Sequence, residues 1–375
     1  MTTKTINPQQ YLAVLGRLPA LSMAELAAQF ETEITKISQE IALFETEKPV
    51  DINRFGGTLK FAQKLDCSPT DFLKNLPEGK ITLGLSDYSK HATKFTAKSE
   101  AMKFKKILTR HGRSVRILPN QQAALSTATS HHNQLSEKQN HVEIIKLGKD
   151  YYRLIGVQNI TAYARRDQAR PARDAKVGML PPKLAQILIN LAGPLPDNAR
   201  VLDPFCGTGV VLQEAALMGY QVYGTDISER MIDYTQKNLE WLGIKQSALL
   251  QLGSATELMW SEPIDAIACE TYLGPPMSNI PPEIKFKDAK HECQDIIIGF
   301  LKNLAPQIAS GTPVVLACPA WKRENGDYEG LDILDKIESL EYNVKKHKKL
   351  GQFGRLLYYR EKQIVAREII VLRKQ

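Results

Sequence analysis

Apolar and polar positions follow a regular succession in the second half of the chain, which predicts alternating strands and helices. Short apolar runs predict strands at residues 200–203, 221–225, 248–252, 266–269 and 313–317. Helical spacing predicts helices through 213–217 and after a Ser228 cap. Strands that alternate with helices form a mostly parallel sheet covered on both faces. The strand-like segment 364–372 has no helix after it and is expected to add antiparallel.

The first half mixes shorter strands and helices, which is an α+β pattern. Strands are predicted at 11–15, 81–85 and 114–118. Ser22 and Glu25 form a capping box that predicts a helix from there to about Phe30. A longer helix is predicted over 96–111, ended by Gly112. Its apolar face is formed by Ala97, Ala101, Phe104 and Leu108.

Composition narrows the class of protein. The 375 residues are 43% hydrophobic and 24% charged, which is typical of a globular protein of two to three domains. No apolar run approaches the ~18–20 residues of a membrane helix, and the N-terminus lacks a hydrophobic signal region, so we expect a cytoplasmic protein with no membrane partner. Five scattered cysteines without a CxxC pair favour reduced thiols and no metal. The net charge of +8 favours a polyanionic partner.

The segment Val-Leu-Asp-Pro-Phe-Cys-Gly-Thr-Gly, residues 201–209, carries the clearest chemical signal. A predicted buried strand ends at Asp203, and Gly207 and Gly209 let the backbone turn and approach a ligand. The helix that follows directs its free amides toward the carboxyl edge of the sheet, where ligands bind in such folds. The next strand ends in Asp226, whose carboxylate can accept hydrogen bonds from both hydroxyls of a ribose.

This loop differs from two common nucleotide-binding loops. A dinucleotide fingerprint needs G-x-G-x-x-G and a phosphate loop needs Gly-Lys-Ser/Thr, and neither pattern is present at this strand end. Asp203 within the loop repels phosphates, so the loop suits a cationic or zwitterionic ligand.

The sequence D-P-F-C-G-T-G followed by G-x-D resembles the S-adenosylmethionine loop of class I methyltransferases, in the version typical of RNA and DNA amino-methyltransferases. Residues 162–186, AYARRDQARPARDAKVGMLPPKLAQ, resemble the segment leading into the catalytic domain of THUMP-associated tRNA guanine-N2 methyltransferases. Residues 11–30, YLAVLGRLPALSMAELAAQF, are similar to the start of those proteins. The resemblance is specific over 163–238 and looser elsewhere.

The resemblance implies two domains joined by a basic linker. Residues 1–155 would form an α+β, THUMP-like RNA-binding region and residues 156–182 the linker. Residues 183–375 would form an α/β, Rossmann-like class I methyltransferase domain with a mostly parallel seven-stranded sheet. We expect S-adenosyl-L-methionine as the cofactor, tRNA as the structured RNA partner, and a monomer in preference to an oligomer.

By position, the implied cofactor residues fall at the ends of three strands. Asp203, Gly207 and Gly209 would approach the methionine part, and Asp226 would take the ribose hydroxyls. The third strand end usually supplies an acid near the adenine, and here Ser254 offers a weaker, neutral acceptor. The full implied set is Asp203, Phe205, Gly207, Gly209, Asp226, Ile227, Ser254 and Ala255.

The fourth strand leads into a degenerate form of the family's catalytic motif, Asp/Asn-Pro-Pro-Tyr/Phe. In that motif the acid or amide and a backbone carbonyl accept the amine's protons, and the ring stacks on the base. Here Glu270 stands in the acid position, Thr271 and Tyr272 replace the prolines, and Leu273 replaces the aromatic residue. We expect Glu270 to accept from the amine and Tyr272 to supply the stacking face. An exposed strand-end acid and ordinary packing are the respective alternatives.

Two basic segments are candidates for RNA contact. Lysine and arginine concentrate just before the catalytic domain and on the polar face of the helix over 96–111, where phosphate contacts would be independent of sequence. A solvated surface is the alternative for both. The candidates are Arg165, Arg166, Arg170, Arg173, Lys176, Lys103, Lys106 and Arg110.

The sequence therefore favours an S-adenosylmethionine-dependent methyltransferase that acts on an exocyclic amine of RNA, by resemblance guanine N2 in the tRNA D-arm region. Two alternatives stay open. An enzyme of the same class would act on rRNA or DNA. A catalytically silent protein would bind the cofactor and RNA without transferring methyl, which the altered segment 270–274 supports.

Overall fold

The computed structural model describes residues 8–174, 180–244, 248–345 and 355–375. Contacts divide these residues into two units. The first contains 8–19 and 32–163, and the second contains Ala20–Glu31 and Ala164–Gln375. The segment Ala20–Glu31 therefore interrupts the first unit in sequence and clusters with the second. This differs from a contiguous N-terminal region of residues 1–155.

One mixed sheet forms the first unit. Its strands are β1 (Gln9–Leu15), β2 (Thr35–Lys36), β3 (Ile41–Thr46), β4 (Thr58–Lys64), β5 (Ile81–Asp87), β6 (Val115–Ile117), β7 (His141–Leu147) and β8 (Asp150–Val157). Among the described residues their order is β2-β3-β1-β4-β8-β7-β5-β6. Strand β5 pairs in parallel with β6 and β7, and the other neighbours pair antiparallel. The helices up to residue 168 are α1 (Pro19–Phe30), α2 (Pro69–Lys74), α3 (Lys94–Arg110), α4 (Thr127–His132) and α5 (Ile160–Gln168).

Two of these helices test the predicted helix boundaries. Helix α3 confirms the amphipathic helix, because its buried residues are the four predicted ones and Gly112 follows it at φ +75°. Helix α1 begins at Pro19, so the predicted Ser22 cap is wrong. Ser22 is buried within the helix, and the fixed φ of proline suits the first turn.

The second unit contains the predicted parallel sheet. Its strands are β9 (Arg200–Asp203), β10 (Gln221–Asp226), β11 (Ala248–Leu252), β12 (Ala266–Glu270), β13 (Pro313–Lys322), β14 (Tyr328–Glu329), β15 (Tyr342–Val344), β16 (Leu356–Tyr358) and β17 (Val365–Lys374). Its helices are α6 (Pro182–Leu191), α7 (Val210–Leu217), α8 (Glu229–Trp241), α9 (Glu283–Leu304) and α10 (Leu334–Glu338). None of the helices in the described residues has the length and apolar character needed to cross a membrane.

Strand order creates a switch point in this sheet. The main path, within the described residues, is β11-β10-β9-β12-β13-β17-β15, and short strands β14 and β16 pair with β13 and β17. Strands β9 to β13 are mutually parallel along this path, and β17 pairs antiparallel with β13, as predicted. Because β9 has β10 on one side and β12 on the other, the chain reverses direction across the sheet at β9. Ligands bind at the carboxyl ends of strands beside such a point.

Candidate active site

Three carboxylates end the three strands around the switch point. Asp203 ends β9, Asp226 ends β10 and Glu270 ends β12. Because β10, β9 and β12 are neighbouring parallel strands, their carboxyl ends lie at one edge of the sheet. The sequence-predicted acids are thus brought together.

The glycine loop between β9 and α7 has the tight backbone expected of it. Asp203 Oδ1 accepts a hydrogen bond from the amide of Phe205 at 3.1 Å. Gly207 and Gly209 have φ values of +52° and +80°, which L side chains rarely adopt. A Cβ added to Gly209 would lie 2.9 Å from Thr235 Cγ2. Both glycines are therefore required by backbone conformation, and Gly209 also by space.

Phe205, one of the predicted cofactor residues, faces the core in part. Its ring packs edge to face against Phe300, with the centroids 5.3 Å apart. The packing fixes the start of the glycine loop against α9. Phe205 therefore anchors the loop from beneath.

Asp226 is fixed by backbone amides on both carboxylate oxygens. Oδ2 accepts from the amide of Gly207 at 2.9 Å, and Oδ1 accepts from the amide of Ser228 at 2.9 Å. A carboxylate offers about four acceptor positions, so each oxygen can accept a further hydrogen bond. Ser228 begins α8, as predicted, but its side chain makes no capping hydrogen bond.

The site is electronegative. Burial raises the pKa of Asp203 well above its usual range, and the charges of Asp226 and Glu270 raise it further, although the Phe205 amide opposes this. Among the described residues, no lysine or arginine forms an ion pair with Asp203 or Asp226. A cationic ligand would relieve this repulsion, and the predicted preference of the loop for a cationic or zwitterionic ligand stays a prediction.

Exposed apolar side chains lie beside Asp226. Ile227 is 77% exposed, and Leu252, which is opposite Asp226 in the β10–β11 register, is 52% exposed. Ser254 is half-buried, with its Oγ 2.8 Å from Thr256 Oγ1, whereas the Ala255 side chain is buried. Sequence reasoning did not identify Leu252, although its position at the end of a predicted strand was a usable signal. The two apolar side chains offer a surface for a flat ring.

Glu270 is held by an arginine from the antiparallel strand. Arg367 Nε on β17 donates to Glu270 Oε1 at 2.7 Å, and the side chains are 6% and 17% exposed. Burial raises the pKa of Glu270, and Arg367 acts in the opposite direction. Among the described residues, the other carboxylate oxygen of Glu270 has no hydrogen-bond partner. Sequence reasoning did not identify Arg367.

The residues after Glu270 follow the edge of β13. Thr271 is buried, and its amide donates to the carbonyl of Ala317 at 3.1 Å, a bond that a proline could not make. Tyr272 is half-buried and packs against the core of this unit. Burial raises the pKa of Tyr272, with Glu292 nearby. Gly274 turns the chain at φ +80°. The stacking role of Tyr272 stays a prediction.

The basic segment before α6 differs from the predicted RNA-contacting surface. Arg170 is only 3% exposed, and its Nη1 donates to Thr208 Oγ1 in the glycine loop at 3.3 Å. Arg166 forms an ion pair with the buried Glu214 on α7, 2.6 Å from Nε to Oε1. Burial raises the pKa of Glu214, and Arg166 opposes this. Arg166 and Arg170 thus contact the protein, because Glu214 on α7 and Thr208 in the glycine loop are their polar partners.

The other candidates in this segment are on the surface or outside the described residues. Arg165 is exposed, 5.2 Å from the Trp241 ring centroid. Arg173 is exposed and donates to the carbonyl of Gln168 at 2.9 Å. Lys176 lies outside the described residues.

Asn238 on α8 ties this segment to the glycine loop. Its Oδ1 accepts from the amide of Ala172 at 3.0 Å, and its Nδ2 donates at 2.9 Å to the carbonyls of both Ala172 and Thr208. Sequence reasoning did not identify Asn238. Together with Arg170, it makes the segment a brace behind the glycine loop.

In the first unit, helix α3 presents the predicted basic face to solvent. Lys103, Lys106 and Arg110 are exposed, and a shallow groove along the helix is lined by them and by Met102. Lys103 also lies 3.3 Å from Glu100 in an ion pair within the helix. RNA contact by this face stays a prediction. In the described part of the chain, no group of three or more histidine, cysteine, aspartate or glutamate side chains is arranged to hold a metal ion.

Part of the chain is similar in sequence to known methyltransferases. Residues 170–278 match the UPF0020 family model, described as an RMKL-like methyltransferase domain. The chain is 32% identical over 195 residues to the tRNA (guanine(10)-N2)-dimethyltransferase of Methanothermobacter thermautotrophicus, covering 51% of this chain and 53% of that protein. It is 40% identical over 98 residues to the Pyrococcus abyssi enzyme of the same name, covering 25% and 29%. The crystal structure of TrmN from Thermus thermophilus is 18% identical, with a TM-score of 0.47, and covers 98% of this chain and 100% of that one.

The matches extend over about half of the M. thermautotrophicus relative and less than a third of the P. abyssi one. The glycine loop and strands β9 to β12 lie within the residues that match the family model. Residues 170–278 of the second unit are therefore similar to a methyltransferase domain, and part of the chain is similar to tRNA (guanine(10)-N2)-dimethyltransferases.

Proposed function

We propose that this protein transfers a methyl group from S-adenosylmethionine to the exocyclic N2 amine of a guanine in tRNA. The proposal rests on two carboxylates at the same edge of the sheet. Asp226 is fixed by backbone amides, and Glu270 keeps one carboxylate oxygen available to a substrate. The names of the two relatives, both tRNA (guanine(10)-N2)-dimethyltransferases, support guanine N2 in tRNA as the target.

The residues around the glycine loop suit this cofactor. Asp226 keeps acceptor positions for the two ribose hydroxyls, and Ile227 and Leu252 offer an apolar surface for the adenine. The positive charges of the methionine part would lower the raised pKa of Asp203 and so favour its ionised form. Phe205, Gly207 and Gly209 shape the loop, and Ser254 and Ala255 would lie near the adenine.

When bound, S-adenosylmethionine supplies a methyl carbon that forms a bond to the amine nitrogen as its bond to sulfur breaks, the electron pair staying on sulfur. Glu270 accepts a hydrogen bond from the amine, which directs the nitrogen lone pair, and it receives the proton that the nitrogen loses. Tyr272 presents its ring to the base. Such catalysis consists mostly of positioning.

The first unit would supply RNA binding. We infer a THUMP-like region within residues 1–155, followed by a basic segment over 156–182 and the methyltransferase domain over 183–375. The exposed side chains of Lys103, Lys106 and Arg110, with Arg165 and Arg173 in the second unit, would contact phosphates.

Transfer of labelled methyl groups tests the function directly. Unmodified tRNA, rRNA and DNA are compared as substrates, and the product nucleoside is identified by mass spectrometry. We expect N2-methylated guanosine in tRNA. Methylation of rRNA or of DNA adenine instead would change the proposed substrate.

RNA binding is tested in the same preparation. Replacing Lys103, Lys106 and Arg110 by glutamine should weaken tRNA binding and lower the salt slope by up to ~3, with cofactor affinity unchanged. The matched control replaces three scattered exposed lysines of the same unit, Lys36, Lys80 and Lys149. If both triple variants weaken tRNA binding equally, the basic face of α3 contributes only through its overall charge and is not a specific contact surface.

A catalytically silent protein that binds cofactor and RNA is the second candidate. The replacement of the family motif's double proline by Thr271 and Tyr272 favours it. Binding of both ligands without transfer to any nucleic acid would establish this alternative.

A further inference from the structure

The Glu270–Arg367 ion pair joins the end of a parallel strand to the antiparallel strand β17. The contact uses Nε of the guanidinium and one oxygen of the carboxylate, 2.7 Å apart. It leaves the second carboxylate oxygen available. The pair therefore fixes the carboxylate without occupying it fully.

The charged and titratable groups around Glu270 come from several elements. Asp203 on β9 is an acid, and Cys269, adjacent on β12, has a pKa that burial raises well above its usual range. On β13 the residue opposite is Ala317, followed by Cys318, whose pKa burial also raises. Helix α6, which packs on β12, carries Lys183 as its charged residue. Arg367 is the cation in direct contact with Glu270.

We propose that Arg367 is a positioning residue, which keeps the Glu270 carboxylate ionised and oriented so that its second oxygen can accept the substrate's amine. The inference rests on the function proposed above. Burial favours a protonated Glu270, and a protonated carboxyl group has lost the negative charge that receives the amine's proton. Arg367 opposes this effect by its contact with Oε1.

Titration of the carboxyl group tests ionisation without any substrate. Glutamate labelled with ¹³C at the carboxyl carbon gives NMR signals that move on protonation, and the signal lost in Glu270→Gln belongs to Glu270. In Arg367→Met this signal should titrate at higher pH than in the wild type, because the cation that stabilises the charged form is gone. Arg367→Lys keeps a charge and should show a smaller shift.

Arg355→Met is the matched control for disturbance of β17. Arg355 pairs with Glu368, the neighbour of Arg367, at 2.6 Å from Nε to Oε1. Its loss breaks a similar ion pair to a residue of the same strand, but the pH at which Glu270 titrates should not change. Melting temperatures of all variants show which ones remain folded, and Arg367→Lys keeps the test decisive if Arg367→Met does not fold.

Single-turnover methyl transfer as a function of pH tests the link to catalysis. At neutral pH the Arg367→Met rate should be about tenfold or more below the wild-type rate, and it should recover as the pH rises. The acidic limb of the profile moves to higher pH because the carboxyl group of the variant loses its proton only there. In the Glu270→Gln background, Arg367→Met should add little, because glutamine does not ionise.

An unchanged Glu270 titration in Arg367→Met overturns the proposal, and so does a shifted titration with an unchanged rate profile. Absence of methyl transfer by the wild type to every nucleic acid would instead contradict the proposed function. The NMR titration would still decide the ionisation in that case, so the two failures are distinguishable.

Discussion

Asp226 and Glu270 are carboxylates at the ends of two parallel strands that flank β9, and the protein holds them by different means. Asp226 accepts from two backbone amides, those of Gly207 and Ser228. Glu270 accepts from one side chain, Arg367. Backbone amides are present whatever the side chains are, whereas a single substitution removes the Arg367 guanidinium. Under the proposed function, the carboxylate that binds the cofactor is therefore held by the backbone, and the carboxylate that receives the proton is held by a side chain.

The largest expected effect is on the reactive carboxylate. Glu270→Ala should lower the single-turnover rate of methyl transfer by on the order of 10²-fold or more, with cofactor and RNA affinity retained. Glu270→Gln keeps a carbonyl acceptor and should retain part of the activity, and Glu270→Asp should fall between wild type and alanine because of its shorter reach. A wild-type rate for Glu270→Ala would mean that the amine is held by other groups.

The binding carboxylate should show the complementary behaviour. Asp226→Ala should weaken S-adenosylmethionine binding by ~1.5–3 kcal/mol, the range of hydrogen bonds to charged groups. Isothermal titration calorimetry measures this loss. Because the same substitution removes the acceptor for the Gly207 and Ser228 amides, Asp226→Asn is the control that retains one carbonyl oxygen. Unchanged affinity in Asp226→Ala would remove this residue from the ribose role.

A smaller effect is expected where the glycine loop meets α8. Gly209→Ala places a Cβ against Thr235 at φ +80° and should lower cofactor affinity by about tenfold, since strained backbone of this kind costs ~1–3 kcal/mol. Gly219→Ala is the matched control, with φ +90° and no atom within 4 Å of the added Cβ. Calorimetry on both variants separates crowding at the loop from backbone strain alone. Equal affinities in the two variants would contradict a specific role for the space at Gly209.

The smallest expected effect concerns the brace behind the loop. Arg170→Gln should lower the unfolding free energy by about 1–2 kcal/mol, as expected when a buried hydrogen-bonded group loses its partner. Arg173→Gln, three residues away and exposed, should leave it within ~0.5 kcal/mol. Denaturant unfolding gives both values. The brace interpretation is incorrect if only Arg173→Gln lowers the unfolding free energy. It is also incorrect if both variants weaken tRNA binding and neither lowers the unfolding free energy.

Features encoded by neighbouring residues were predictable. The glycine loop, helix α3 and the alternation of parallel strands with helices each depend on spacing within a short stretch of sequence, and the structure agrees with them. Asp226 also belongs to this class, because its amide partners are 19 and 2 residues away.

Features that depend on distant partners were not predictable. Arg367 lies 97 residues from Glu270, and their meeting depends on the register between β13 and β17. Arg170 was interpreted as a surface residue because its neighbours in sequence are basic, but Thr208, 38 residues away, receives it in the interior. The amino-acid sequence shows that a residue is charged, but it does not show which partner the fold brings next to that residue.

Helix α1 has a consequence for how the protein is made. Its Glu25 accepts a buried hydrogen bond from Asn190, 165 residues later in the chain. A ribosome adding about 5–20 residues per second needs roughly 10–30 s to supply that partner. During this interval Glu25 lacks Asn190, its hydrogen-bond partner in the finished protein. The contact of α1 with Asn190 can therefore form only after β1 and β3, which pair with each other, have both been synthesised.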